Sequence, residues 1–207
     1  MCSTDLDKAF ALIDELAAEG HCLGLAAEAD IDRAEESLGV RLPESYRRFL
    51  RKCGALDAGP VTIYGLGVRW DCSPSVVWAR SLIVSICPNV PKTLVPIELL
   101  DDGQFVCLLC EETTPDAVDA PVVIWDPDTY MHDRSVARTG LDFASYLYER
   151  LAKYYWFIDG LKTLEKHVKQ IQERLGYDHA KGGKLPRNHE WRPYRFCVQD
   201  VLFGATV

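Results

Sequence analysis

Cysteines, histidines and turn-borne aspartates are the residues of this 207-residue chain with the most chemical potential. Cys107-Leu108-Leu109-Cys110 has the spacing of a metal-binding pair when taken alone. Its surroundings read as a strand, however, and residues three apart on a strand point to opposite faces. No second pair has matching spacing, so both read as buried structural thiols. His167, His179 and His189, with Asp178 and Glu190, gather toward the C-terminus and could bind a metal or act as acid and base. They offer no short ligand spacing and read as surface histidines. Lys181, Lys184, Arg187, Arg192 and Arg195, with Trp191 and Tyr194, form a basic aromatic set of the kind that can hold phosphates and stack bases. In a chain that is acidic overall, the stronger reading is an inner surface docked on the acidic body. Asp101, Asp102, Asp126, Asp128 and Asp133 could supply an acid–base pair. Aspartate is also what turns prefer for local hydrogen bonding, and that reading is favoured. G-x-S-x-G, the phosphate-cradling P-loop, H-E-x-x-H and G-x-G-x-x-G are all absent. The pattern points to a binding module with no cofactor and no metal, not an enzyme.

Bulk properties agree. Apolar residues make up 48% and charged residues 26%, an ordinary globular balance. The length allows one full domain with or without an appendage. No apolar run approaches the roughly 20 residues needed to span a bilayer. The first twenty residues carry acids throughout and lack the basic start and apolar centre of a secretory signal. The expectation is therefore a cytoplasmic protein with eight reduced thiols. The net charge of −8 is uneven: residues from Lys153 onward hold 10 basic and 6 acidic side chains, while the remainder holds 13 and 25. The acidic body disfavours nucleic acid and suits steering of a basic partner.

The elements that would position these residues are clearest in Ile31–Gly54 (IDRAEESLGVRLPESYRRFLRKCG). Ile31, Ala34 and Leu38 share one helical face. Asp30 is the expected N-cap and Gly39 the expected left-handed terminator. Pro43 sits at or near the first position of a second helix. Tyr46, Phe49 and Leu50 should bury one side of it, leaving Arg47, Arg48, Arg51 and Lys52 in water. Gly54 ends it.

Around that corner, Leu6, Phe10, Ile13 and Leu16 form a stripe on a first helix that stops at Gly20. Val61–Tyr64 reads as a strand. Val76–Ile86 is apolar with ambiguous period. Leu94–Leu99 and Gln104–Cys110 read as a hairpin around Asp101-Asp102-Gly103. Glu111–Ala120 reads as an acidic loop, Val122–Trp125 as a buried strand, Asp126-Pro127-Asp128 as a turn and Tyr130–Ala137 as one more strand. Leu141–Phe157 and Leu161–Leu175 read as two helices, the second with Leu161, Leu164, Val168, Ile171 and Leu175 on one side. Tyr177–Glu190 reads as a loop, and Tyr194, Phe196 and Val198 alternate as in a strand. The apolar end at Val207 reads as a truncated chain or an incomplete second domain. Strands in series flanked by helices predict an α+β fold with a mostly antiparallel sheet.

The order I-x-x-A-E-x-x-L-G-x-x-L-P-x-x-Y-x-x-F-L-x-x-x-G over residues 31–54 resembles the opening of the SUKH superfamily. Thr62–Gly67 (TIYGLG), Val95–Gly103 (VPIELLDDG), Pro121–Asp126 (PVVIWD) and Leu141–Leu151 (LDFASYLYERL) resemble its later elements, so the likeness covers about residues 28–151. The resemblance implies a helix over Val76–Ile86. It also implies a SUKH-like domain over 1–152, with a basic extension over 153–207. The superfamily includes fungal cell-wall assembly regulators and many bacterial immunity proteins. It thus implies a toxin-neutralising immunity protein that binds a cognate, basic toxin domain. A regulatory scaffold is the alternative, and a metal-dependent enzyme using the His-rich tail is the second. The expected partner surface is Tyr64, Trp70, Asp102, Trp125, Asp126 and Asp128, chosen as aromatic anchors and steering charges. The extension is a candidate arm for homo-oligomers, and no membrane partner is expected.

Overall fold

A computed structural model describes residues 4–67, 69–110, 119–133 and 136–174. The chain divides into two units, Met1–Trp156 and Phe157–Val207. The first is an α+β fold in which helices enclose an antiparallel sheet.

Three helices come first: α1 (Thr4–Ala18), α2 (Glu28–Leu38) and α3 (Glu44–Cys53). Ile31, Ala34 and Leu38 are buried as their spacing requires, and Gly39 closes α2 in the left-handed region. Helix α2 starts earlier than expected, with Ala27 at the cap position; Asp30 lies inside the helix and pairs with Arg33. Pro43 caps α3, which buries Tyr46, Phe49, Leu50 and Cys53. Arg47 is not in water. Its side chain is only 11% exposed, because Glu35, Glu28 and Asp32 of α2 surround its guanidinium.

A two-stranded ribbon follows, β1 (Leu56–Asp57) with β2 (Thr62–Ile63), and then α4 (Val76–Ile86). The Ser75 hydroxyl accepts from the Trp78 N–H and caps α4. The main sheet runs in the order β3 (Leu94–Leu99), β4 (Phe105–Leu109), β5 (Pro121–Trp125), β6 (Ala137–Asp142), every pair antiparallel. Helix α5 (Pro127–Asp133) lies between β5 and β6, and α6 (Phe143–Arg174) closes the described chain.

Both faces of the sheet are covered. Phe105, Cys107, Val123 and Trp125 share one face and pack with Ile83 of α4 and Tyr130 of α5. On the other, Glu98 of β3 lies opposite Val106 and bonds to Tyr146 and Arg150 of α6. Phe143 at the start of α6 meets Tyr46 and Phe49 of α3 edge-on.

Three expectations are corrected here. Tyr130–Ala137 is not a strand: Asp126 caps a helix that Pro127 opens, and the strand starts only at Ala137. Leu141–Leu175 is not two helices. Helix α6 runs unbroken through Gly160, because an isolated glycine costs only about 1 kcal/mol and no proline intervenes. The thiols are not all reduced either. Cys22 and Cys53 form a disulfide with Cα atoms 5.0 Å apart. Hydrogen bonds from Leu23 N–H to Ala55 O and from Ala26 N–H to Leu50 O draw the connector before α2 against the end of α3.

That connector passes unusually close to its neighbours. A Cβ on Gly54 would lie 1.8 Å from Gly24 O, and a Cβ on Gly65 would lie 1.8 Å from Gly54 O. Gly54 also has φ 71°, whereas Gly65 has no positive φ, so at Gly65 the demand is purely one of space. Gly65→Ala should therefore lower stability by at least ~3 kcal/mol in urea unfolding. Gly103→Ala, with φ 85° and nothing within 4 Å, should cost about 1–2 kcal/mol. Equal losses would mean the crossing can spread without cost.

Candidate functional site

The hairpin tip between β3 and β4 and the turn from β5 into α5 meet at one end of the sheet. The register sets this meeting, since Phe105 at the start of β4 pairs with Trp125 at the end of β5. Asp101 and Asp102 therefore come to the same end as Asp126 and Asp128. The Gln104 side-chain amide donates to Asp126 Oδ2 at 3.3 Å and ties the two loops together. Leu99, 40% exposed, ends β3 at the same end of the sheet, opposite Phe105.

Each of these carboxylates has local work as well. Asp102 Oδ1 accepts from Gln104 N–H, which tightens the hairpin. Asp126 accepts from the N–H groups of Asp128 and Thr129 and from the Thr129 hydroxyl. Burial alone would raise the Asp126 pKa, but these donors outweigh it and hold the carboxyl below its ordinary value. Asp101, Asp102 and Asp128 are exposed. Among the described residues, none of the four aspartates joins an ion pair with a Lys or Arg.

The acids of the N-terminal helices are in a different state. Arg51 and Arg47 lower the Glu28 pKa to about 2, chiefly through hydrogen bonds. Glu35 and Asp32 lie against Arg47, Glu44 against Arg51, Asp7 against Arg48 and Asp14 against Lys52. The basic side chains of α3 thus neutralise α1 and α2 from within. Asp102, Asp126 and Asp128 at the sheet end have no such ion pair among the described residues, and Asp101 is felt only at longer range by Arg150.

Of the residues expected at the surface, Asp102, Asp126 and Asp128 come together. Trp70 does not join them: it is half-buried in a cleft of about 410 Å³ with Arg33, Glu36 and Ser37, its ring 5.7 Å from the Arg33 guanidinium. Two expected anchors are corrected to core positions. Trp125 is fully buried between Phe105 and Tyr130, because β5 turns it toward α4 and α5; its indole N–H has no partner among the described residues. Tyr64 is 3% exposed, with its backbone N–H bonded to Ile97 O and its ring against Trp78. Burial first, and the Glu98 charge second, push its phenol up to about 12.

Sequence reasoning missed Asp101 and Leu99 as members of the patch. Both lie in the quoted hairpin motif, and the cross-strand register that joins them to Asp126 was the signal lacking. Cys107 and Cys110 are both buried, and burial pushes the Cys110 thiol up to about 12. Among the described residues no three His, Cys, Asp or Glu side chains are grouped to hold a metal ion. His167 is exposed on α6, while His179, His189 and the basic aromatic set lie outside the described residues.

Comparison with protein families matches the chain to the SUKH family described as SMI1-KNR4 cell-wall, over residues 10–152. The chain belongs to the SUKH family. The match covers α1 through the first part of α6, and so includes the acidic sheet end and the glycine crossing. No curated protein matches the chain. SUKH membership fits an interaction role with a protein partner. Among the described residues no helix is long and apolar enough to cross a membrane.

The cap at Asp126 gives a pH signature. A carboxyl whose folded pKa is depressed stabilises the fold above its ordinary value of 3.8, and that contribution is lost as pH falls through the lower folded pKa. The protection of the Asp128 and Thr129 amides relative to their intrinsic exchange rates should therefore fall on acidification below about pH 4. In Asp126→Ala that protection should already be lost at neutral pH. Unchanged protection in that variant would remove Asp126 as the cap of α5.

Proposed function

We propose that this SUKH protein neutralises a basic protein toxin by binding it through the acidic end of the sheet, without transforming a substrate. The observation that carries this reading is the partition of charge. Glu28, Asp32 and Glu35 of α2 lie against arginines of α3, whereas Asp102 and Asp128 keep exposed carboxylates in no ion pair with Lys or Arg among the described residues; Asp101 beside them is exposed, and its charge is felt by Arg150. Leu99 offers an apolar contact within that field. Unanswered like charge steers an oppositely charged partner and sets association rate more than final affinity. Buried Trp125 and Tyr64 then position the surface and do not touch the partner. The reading sets the toxin gene beside this one, and the cytoplasmic location then follows from that pairing alone, because the Cys22–Cys53 disulfide removes the argument from reduced thiols. Immunity by contact needs only shape and charge, which accords with the absence of a catalytic motif in the sequence.

The test uses a toxin domain from the adjoining reading frame and stopped-flow association with the full chain. Asp102→Lys and Asp128→Lys should each slow association about threefold or more at low salt. The difference should shrink toward 1 M salt, where the screening length falls to about 3 Å. Asp126 is kept native because it caps α5. Rates unaffected by both substitutions at low salt would reject the acidic end as the docking face.

A further inference from the structure

The C-terminal part of α6 carries a pattern that the family match does not reach. Phe157, Leu161, Leu164, Val168 and Ile171 recur at intervals of four, three, four and three, and Leu175 continues the series in the sequence. That alternation has the spacing of a coiled-coil seam, with Leu161 and Val168 at a positions and Phe157, Leu164 and Ile171 at d positions. None of the five is buried: Phe157 is 47% and Val168 41% exposed, and the other three are half-buried. The positions around the seam are polar, with Asp159, Lys162, Glu165, Lys166 and Lys169 all exposed.

We infer that this stripe is a self-association surface, and that its occupant is the same helix of a second copy in parallel alignment. A twin helix carries the identical spacing, so each apolar layer meets its own counterpart. Val168 at a with Leu164 at d favours two strands, whereas Leu161 at a and Ile171 at d are choices of larger bundles, so the mass must read two chains and not three or four. The flanking positions permit it. In parallel, Glu165 faces Gly160 and Gln172 faces His167, so no like-charged pair is created. In an antiparallel pair Glu165 would meet its own copy. The seam is short, under three heptads, so the dimer is concentration-dependent rather than obligate. The inference does not depend on which partner the acidic sheet end takes.

Sedimentation equilibrium of the full chain without reductant, with exposed Cys72 alkylated so that it forms no cross-link while the Cys22–Cys53 disulfide stays closed, provides the test. The wild type should show a monomer–dimer equilibrium. Leu164→Glu should weaken it roughly tenfold or more. Lys162→Glu, on the polar side of the helix, should leave it unchanged. Should Leu164→Glu fail to fold, Leu164→Ala should still weaken the dimer by a smaller factor. A chain that stays monomeric at every concentration would overturn the inference. So would a dimer that tolerates Leu164→Glu, or a variant that loses helix content while the mass never exceeds one chain. The last result would mean that the stripe is covered from within by residues beyond 174.

Discussion

Four glycines allow the body to close. The connector before α2, the end of α3 and the loop after β2 cross with backbone against backbone at Gly24, Gly54, Gly65 and Gly67, and no side chain fits between them. Once that approach is made, the hydrogen bonds follow. Gly54 O accepts from Leu66 N–H, Gly65 N–H donates to Pro74 O, and Val76 N–H donates to Gly65 O. The Cys22–Cys53 disulfide closes the same crossing covalently. These links fix where α4 begins and where Tyr64 meets β3. They therefore fix the sheet whose far end carries the aspartates. A constraint of this kind is made of excluded volume, so it tolerates little adjustment.

Charge is sorted by the same architecture. Placing α2 and α1 beside α3 sets Glu28, Glu35, Asp14 and Asp7 next to Arg47, Arg51, Lys52 and Arg48. The exposed pairs among these add little stability individually, while Arg47–Glu35, at 11% and 17% exposed, is more sheltered. Their larger consequence is that they quench the acidity of one region and leave that of another. The buried Glu98, held by Tyr146 and Arg150, is the exception: it lies 1% exposed and joins the sheet to α6. Removing either partner there would strand a charge away from water.

Much of this was legible in the sequence where local chemistry decides. Gly39, Pro43 and Gly54 mark helix ends because backbone geometry demands those residue types, and the boundaries of α4 and β3 fell where turn residues and the family likeness put them. The family and the α+β class followed from order and spacing. What escaped was set by distant parts of the chain. Arg47 looked solvated because its acids lie on another helix, and Cys22 and Cys53 are separated by 31 positions with no spacing that links them. Asp126-Pro127-Asp128 serves equally as a turn or a helix start, and only the following residues of α5 decide. For the candidate site, the carboxylates were visible but their convergence was not. Trp125 could not be assigned to a face until the pairing of β4 with β5 was known.

The central claim is that the acidic end of the sheet is where a basic protein docks. Hydrogen–deuterium exchange of the full chain, alone and with the toxin domain encoded beside it, addresses that claim most directly. The account predicts added protection in the complex at residues 99–104 and 126–129, with the α2–α3 pair unchanged. Protection confined to α2, α3 or the Trp70 cleft, with the sheet end exchanging as in the free protein, would contradict it.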